Sequence, residues 1–249
     1  MFDTILNHRT IRKYKIDPIP EQILQYILEA GIRASTTGNM QLYSIISTTD
    51  EKIKEELAPC HFNQPMVKEA PVVLTFCADF NRFNKWCRLN KAEPGYDNFL
   101  SFMTAAIDAL LVAQNVCVAA EDAGLGICYL GTTTYMAGKI IEVLDLPEGV
   151  VPVTTVTVGY PDESPELTDR LPLEAVVHQD KYSDYSDSDI KKYYREKELI
   201  TTYQEFVKEN NKETLAQVFT DVRYKKDDNV LFSSKLLDIL KQQGFMNHQ

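Results

Sequence analysis

A cluster of cations near the start of the chain has residue types and a spacing that could bind an anion. His8, Arg9, Thr10 and Arg12 lie close together and two lysines follow them, although the whole chain carries a formal net charge of −10. Positive charge concentrated against the global sign favours a local anion-binding site. The arginine forks, the hydroxyl and the imidazole ring are donors suited to a phosphate. On composition alone, the alternative is a solvated basic segment that pairs with the acidic surface.

The elements around this cluster predict a fold of interleaved helices and strands. A short helix over residues 2–14 is expected to carry the cations, which would place Arg9 and Arg12 on one face. Apolar or β-branched runs predict strands at 43–49, 72–78, 127–131 and 150–158. Apolar residues cover nearly the whole circumference of 99–123, which predicts a long helix at the centre of the fold or at a subunit interface.

The C-terminal part of the chain has a different composition. From about residue 182 it is rich in Asp, Lys, Tyr and Ser, and two or three helices are expected over 187–209, 211–220 and 231–243. We therefore expect one domain over residues 1–249, in which 182–249 form a helical C-terminal extension.

Composition argues against several classes of protein. The net charge of −10 disfavours nucleic acid and an anionic membrane surface as partners, and no apolar run suggests a membrane span. The five cysteines are widely spaced without a C-x-x-C pair, which indicates reduced thiols in the cytoplasm. The four histidines form no ligand-spaced pair, so we expect no metal.

The usual catalytic signatures are also missing from the sequence. It contains no G-x-S-x-G, no Walker A loop and no G-x-G-x-x-G after a first strand. A protein whose chemistry comes from a cofactor needs only binding, orientation and electrostatics from its side chains. The sequence therefore favours cofactor-dependent chemistry.

Four segments, in order along the chain, resemble the FMN-dependent nitroreductase family. His8–Tyr14 resembles its H-R-S/T-x-R motif, and Ala34–Gln41 is similar to A-P-S-x-G-N-x-Q, with Ser in place of Pro. Cys128–Gly131 resembles the strand whose end lies against the flavin ring. Gly159–Pro161, followed by Arg170–Pro172, resembles a strand end and a loop with a basic residue near the phosphate. The pattern is most similar to the oxygen-insensitive group A branch, which includes flavin reductases.

The resemblance implies an α+β nitroreductase fold, a three-layer α/β/α arrangement with a central mixed β-sheet. It implies a homodimer with FMN at the subunit interface, where residues 37–41 serve the flavin of the partner chain. Hydride would pass from NADPH or NADH to FMN, and electrons then to an oxidised small-molecule acceptor such as a nitroaromatic or a quinone, in a ping-pong sequence. No side chain is expected to act as a catalyst. The cofactor-binding residues it implies are His8, Arg9, Thr10, Arg12, Ser35, Thr36, Thr37, Asn39, Gln41, Gln64, Tyr129, Leu130, Gly131 and Arg170.

One departure from the group A pattern bears on the flavin or the nucleotide. The group A loop reads Lys-x-Arg-Leu-Pro, whereas this chain has Thr168 and Asp169 before Arg170. A lost charge-assisted contact costs about 1.5–3 kcal/mol, which is roughly tenfold to a hundredfold in affinity. The choice between NADH and NADPH stays open at this point.

Three other functions remain open on the sequence, and the last of them is a plain phosphate-binding or structural protein that holds no flavin. The first is an enzyme with the same half-reaction but another acceptor, namely a free-flavin, quinone or azo reductase, or a dehalogenase-type member. The second, from another class, is a flavin-binding regulatory protein that does not turn over, for which the changed loop at Thr168 and Asp169 leaves room.

Overall fold

The structure is a computed structural model that describes residues 2–248. It divides into two compact units: one holds the described residues up to Glu166 together with those from Phe232 onward, and the other is Leu167–Leu231. The prediction of one domain stays a prediction.

A four-stranded sheet forms the centre of the first unit. Its strands are β1 (Tyr43–Thr48), β2 (Val72–Asp79), β3 (Gly126–Leu130) and β4 (Val150–Gly159), in the order β1-β2-β4-β3. All three ladders are antiparallel, so the prediction of a mixed sheet is corrected. Interleaved helices favour parallel strands, but the chain between β1 and β2 returns to the same end of the sheet, where Thr48 pairs with Val73. Within residues 2–248, parallel pairing is confined to an isolated bridge between Thr10 and Ile127.

Helices cover both faces of this sheet. The helices of this part of the chain are α1 (Phe2–Leu6), α2 (Glu21–Gly31), α3 (Glu51–Leu57), α4 (Met66–Glu69), α5 (Asn81–Leu89), α6 (Phe99–Asp122) and α7 (Ala137–Val143). Every residue of β2 is buried, and side chains alternate across a strand. Leu74 and Phe76 therefore pack with α2 and α6 on one face, and Val73 packs with α3, α4 and α7 on the other. The predicted α+β class and the three layers are confirmed.

The predicted long helix is confirmed as α6. Asn98 caps it by accepting a hydrogen bond from the backbone N–H of Ser101. By length and a mean hydropathy of 1.6 it could cross a membrane, contrary to the expectation from the sequence, but 56% of its most apolar window is buried. Packing in the core of the first unit accounts for the buried part of that apolar composition.

The predicted helix over residues 2–14 is wrong. Helix α1 ends at Leu6, and the following segment is extended. The Ile11 N–H donates to the carbonyl of Ile127 at 2.9 Å, and Tyr14 forms an antiparallel bridge with Pro161. Ile11 and Tyr14 are both buried. Pairing with the sheet edge and burial of these two side chains outweigh the local helical pattern.

The second unit is helical, as predicted for the C-terminal extension. It contains α8 (Asp187–Leu199), α9 (Thr201–Glu209) and α10 (Leu215–Val218). Capping boxes begin α8 at Ser186 and α10 at Thr214. The last helix, α11 (Lys226–Gln242), begins five residues before the predicted position at 231.

Candidate active site

The basic segment lies along strand β3 at the edge of the sheet. Thr10 forms the parallel bridge with Ile127, and Gly126 faces the side chain of Ile11. A Cβ atom on Gly126 would lie 2.6 Å from that side chain, closer than real contacts allow. Glycine therefore permits the close approach that fixes this segment to β3.

Arg12 is held by its backbone, while its side chain has no partner within residues 2–248. The backbone N–H groups of Arg12 and Lys13 both donate to Oε1 of Glu163. No hydrogen bond or ion pair in the described chain engages the Arg12 guanidinium. Burial raises the pKa of the Cys128 thiol in β3, and the positive charge of Arg12 opposes that rise. The Arg12 guanidinium is therefore close enough to β3 to interact with it electrostatically. An anion beside β3 could recruit this unengaged guanidinium.

The other two basic side chains of the motif already have partners. Nε of Arg9 donates to the carbonyl of Pro165 at 2.9 Å, and Nη1 donates to the carbonyl of Asn7 at 3.1 Å. Nδ1 of His8 lies 2.7 Å from Oε1 of Glu121. Arg9 lines a cleft of about 270 Å³ together with Gly126 and Glu163. These hydrogen bonds fix the Arg9 side chain beside the first residue of β3.

A hydrogen bond brings the turn containing Gln64 to the end of β3. Nδ1 of His61 lies 2.8 Å from Oγ1 of Thr132, two residues beyond the last residue of β3. The backbone N–H of Gln64 donates to the carbonyl of His61 at 3.1 Å. The predicted Gln64 and Gly131 therefore stand on two turns that are joined by one side-chain bond.

The backbone at Gly131, which directly follows β3, borders open space. Leu130 is buried, whereas an added Cβ on Gly131 would meet nothing within 4 Å. The hydroxyl of Tyr129 donates to Gln114 on α6 at 3.4 Å. An unengaged guanidinium, an amide side chain and open backbone at a glycine are groups that suit a phosphate, a polar ring edge and a ring face respectively. These residues fit a flavin mononucleotide.

The segment Ser35–Gln41 is anchored elsewhere, on α6. The backbone N–H of Thr37 donates to Oδ1 of Asp108 at 2.9 Å, and the N–H of Leu42 donates to Oδ2 at 3.3 Å. Asp108 is only 1% exposed. In the part of the chain that the structure describes, no hydrogen bond joins Ser35, Thr36, Thr37, Asn39 or Gln41 to the segments at β3.

This loop has an unusual backbone. Gly38, Asn39 and Gln41 all have φ near 55°, in the left-handed region. For a residue other than glycine this conformation costs about 1–3 kcal/mol, so it persists at Asn39 and Gln41 only because the surroundings enforce it, and such residues concentrate at functional sites. The Arg82 guanidinium supplies a second restraint, because it donates to the carbonyls of Gln41 and Tyr43.

Asp108 and Arg82 are functional candidates that the sequence predictions missed. An acid in the middle of an otherwise apolar helix is a signal that could have identified Asp108, because a buried carboxylate needs hydrogen-bond donors. Nothing in the sequence around Arg82 indicates that its side chain donates to backbone carbonyls of a distant loop.

Arg170 belongs to the second unit. Its Nη1 donates to the carbonyls of Thr168 and Asp169, at 3.2 Å and 2.9 Å. The Asp169 carboxylate accepts from Nζ of Lys197 at 2.8 Å and from the hydroxyl of Tyr203 at 2.7 Å. Partial burial acts to raise the pKa of Asp169, but these hydrogen bonds outweigh it and the pKa is lowered. The acid that departs from the group A pattern is therefore neutralised inside its own unit.

The histidines, cysteines and acids do not form a metal site in residues 2–248. No group of three or more of these side chains there could hold a metal ion. All five cysteines are free and buried.

Comparison with known proteins adds to this geometry. Residues 5–160 match the sequence model described as Nitroreductase family. The NADPH-flavin oxidoreductase of Vibrio harveyi is 36% identical over 191 residues, which is 77% of this chain and 78% of that protein.

Two solved structures are similar over nearly the whole chain. A Bacteroides fragilis protein, assigned provisionally as an oxidoreductase, has a TM-score of 0.97 and 58% identity, covering 98% of this chain and 100% of that one. The NADPH:FMN oxidoreductase of Vibrio harveyi, solved with NAD⁺, has a TM-score of 0.80 and 30% identity, covering 99% of each chain.

Proposed function

The chain belongs to the nitroreductase family, and from this premise we propose that it is a cytoplasmic, FMN-dependent NAD(P)H oxidoreductase. The observation that carries the proposal is that the basic segment and the turn containing Gln64 both contact β3, the first along the strand and the second just beyond its end. Arg12 reaches this strand through the bridge at Thr10, and the turn containing Gln64 reaches it through the bond from His61 to Thr132. The free, buried thiols support the cytoplasmic location.

The roles of the residues follow from their chemistry. FMN, when bound, supplies the two-electron chemistry that takes hydride from NAD(P)H and delivers electrons to an acceptor. Arg12 and Arg9 bind the phosphate, and His8 and Thr10 add donors beside them. The role that the resemblance implies for Arg170 stays a prediction. Gln64 binds a polar edge of the ring.

The backbone at the end of β3 completes the site. The N–H group of Leu130 or of Gly131 acts as a donor to the ring, while Tyr129 lines it. Donors in fixed positions stabilise the extra negative charge of a reduced ring without reorganisation, and this raises its reduction potential.

The acceptor is a small oxidised molecule such as a nitroaromatic or a quinone. Free flavin is a second candidate acceptor, because a relative that is 36% identical is named NADPH-flavin oxidoreductase. The same name favours NADPH as the donor. Steady-state rates with a nitroaromatic, a quinone and free FMN, each with NADH and NADPH, separate these functions.

We propose further that two copies of the chain form the site. Helix α6 buries one face in the core but exposes a stripe of large apolar side chains at helical spacing: Leu100, Met103, Ile107, Leu110 and Leu111. Exposed apolar stripes of this kind mark interfaces. The loop at Ser35–Gln41 is anchored on the same helix by Asp108, which supports its service to the partner's flavin.

The cofactor proposal is tested by titrating flavin-free protein with FMN. Quenching of flavin fluorescence at one FMN per chain is expected, and riboflavin, which lacks the phosphate, should bind far more weakly. Equal affinity for FMN and riboflavin would show that Arg9 and Arg12 do not bind the phosphate.

The dimer is tested by sedimentation. Ile107→Glu puts a charge on the exposed stripe and should produce monomers, whereas Leu89→Glu, at an exposed apolar residue on α5, should leave dimers. A wild-type protein that sediments as a monomer at micromolar concentration would contradict the shared site.

A further inference from the structure

We propose that His61 is a positioning residue for the flavin, because its bond to Thr132 locks together the turn that carries Gln64 and the turn that follows Gly131. This inference rests on the proposed function, since it concerns how the same site holds its cofactor. His61 itself is not proposed to touch the flavin or to move a proton.

The environment of His61 is one in which a histidine is costly. Its side chain is 0% exposed, it belongs to a short 3-10 helix in which Ala58 and Cys60 are also buried, and its Nε2 has no hydrogen-bond partner in residues 2–248. Burial lowers the pKa of the ring to about 4, so the ring is neutral at neutral pH. An unsatisfied buried polar atom is unfavourable. The bond from Nδ1 to Thr132 is the contact that an apolar residue here could not make.

The turn on the His61 side transmits this restraint to Gln64. The Gln64 N–H donates to the carbonyl of His61 at 3.1 Å, and Phe62 and Asn63 between them both have φ of 55°. Two consecutive left-handed residues leave such a turn little freedom to adjust. Displacement of the His61 ring therefore displaces Gln64.

The turn on the Thr132 side is restrained in the same way. The Thr132 carbonyl accepts from the N–H groups of Tyr135 and Met136, at 3.1 Å and 3.2 Å. Thr132 is buried and directly follows Gly131. The hydroxyl of Thr132 is thus the point at which the open backbone of Gly131 is tied to the Gln64 turn.

The energetic consequence concerns the reduced flavin more than the oxidised one. Binding groups must stay within about 0.5 Å of their working positions to be effective. Donors beside the ring stabilise the added negative charge of the reduced form, so a misplaced donor costs that form more. Loss of the bond should weaken FMN binding and also make the reduction potential more negative.

The test compares Thr132→Val, which removes the hydroxyl at nearly constant shape, with Thr132→Ser, which keeps it. FMN affinity is measured by fluorescence titration, and the midpoint potential of the bound flavin by dye equilibration. Thr132→Val should bind oxidised FMN about tenfold more weakly and reduced FMN about a hundredfold more weakly. The further tenfold corresponds to a potential about 30 mV more negative. Thr132→Ser should match the wild type in both measurements.

A second pair of variants covers the case in which Thr132→Val does not fold. His61→Asn keeps a polar nitrogen or oxygen near the position of Nδ1, whereas His61→Leu keeps none. We expect near wild-type affinity and potential for Asn and both losses for Leu. In the double variant His61→Leu/Thr132→Val, the losses should not exceed those of either single variant, since the two share one bond.

Three outcomes overturn the inference. If Thr132→Val leaves affinity and potential unchanged, the bond from His61 does not restrain the site. If Thr132→Ser shows the same losses as Thr132→Val, the losses come from altered packing and not from the missing hydroxyl. A weaker affinity at an unchanged potential reduces His61 to a structural role. A wild-type protein that takes up no FMN is distinct from all three, because it overturns the proposed function and this inference with it.

Discussion

The carboxylate of Asp108, in the middle of the buried helix α6, accepts a hydrogen bond from the backbone N–H of Thr37 at 2.9 Å. With the bond from Leu42, this single side chain sets both ends of a loop whose central residues are left-handed. The conformation of this loop therefore depends on a residue about 70 positions away in the sequence.

Asp108→Ala should destabilise the protein by about 3 kcal/mol, because it leaves two backbone N–H groups without their acceptor beside a buried helix. Urea denaturation of the two proteins measures the change. Thr37→Val is the control, since it loses only the hydroxyl contact at 3.3 Å and should cost less than about 1 kcal/mol. Equal losses in the two variants would mean that the backbone bonds contribute little.

His61 should make stability depend on pH below neutrality. Burial lowers its pKa from 6.5 to about 4, so between these values the unfolded chain binds a proton that the folded chain does not. Stability is therefore full above pH 6.5 and falls as the pH drops towards 4, by about 2 kcal/mol at pH 5. Urea denaturation at pH 7 and pH 5 gives the change. The same pH change should cost His61→Leu less, and an identical loss in the two proteins would show that other groups cause it.

Arg12→Ala should lower FMN affinity by tenfold to a hundredfold, because a charge-assisted bond to a phosphate is worth about 1.5–3 kcal/mol. The fold should be unchanged, since no partner in the described chain engages this guanidinium. Arg88→Ala, on α5, is the matched control. Flavin content of the purified proteins gives the result. Equal content in wild type and Arg12→Ala would refute the phosphate assignment.

Asn39→Ala should impair the site of the neighbouring subunit. Dimers that combine one Asn39→Ala chain with one Arg12→Ala chain distinguish the two arrangements. If Asn39 serves the partner, one of the two sites carries both substitutions and the other is intact, so half of the flavin stays bound tightly. If Asn39 serves its own site, both sites are damaged and no tight half remains.

Thr168→Lys restores a cation of the group A loop. The new charge should raise affinity for FMN or for NADPH by about tenfold, the lower end of the range for one charge-assisted contact. Asp169 should not cancel it, because that carboxylate is already paired with Lys197. FMN titration and the KM for NADPH measure the two effects. Thr168→Gln, which is long but uncharged, separates charge from size.

The secondary structure of the first unit could largely be predicted from sequence. Residues 72–79 are apolar or β-branched up to a final acid, and 99–122 lack helix breakers, so local pattern and tertiary structure agree. The N-terminal segment could not be predicted, because its helical propensity gives way to pairing with β3 and to the space beside Gly126. The antiparallel direction of the strands could not be predicted either, because it depends on the end of the sheet to which the intervening helices bring the chain back.

The candidate site divides in the same way. The basic residues suited to a phosphate can be recognised from their residue types, and the family resemblance implies Gln64 and Gly131. His61 and Asp108 depend on contacts between positions 71 residues apart in each case, which no local pattern encodes. Residues that hold a site in place are therefore harder to predict than residues that bind.

The proposed function requires that FMN binds beside β3 and is reduced by a nicotinamide nucleotide. An absorption spectrum of the purified protein, recorded anaerobically before and after NADH and then NADPH, shows whether both are true. A flavin spectrum that bleaches with a nucleotide is the predicted result, and the nucleotide that bleaches it identifies the donor. A colourless protein that takes up no added FMN, or a bound flavin that neither nucleotide bleaches, would contradict the account.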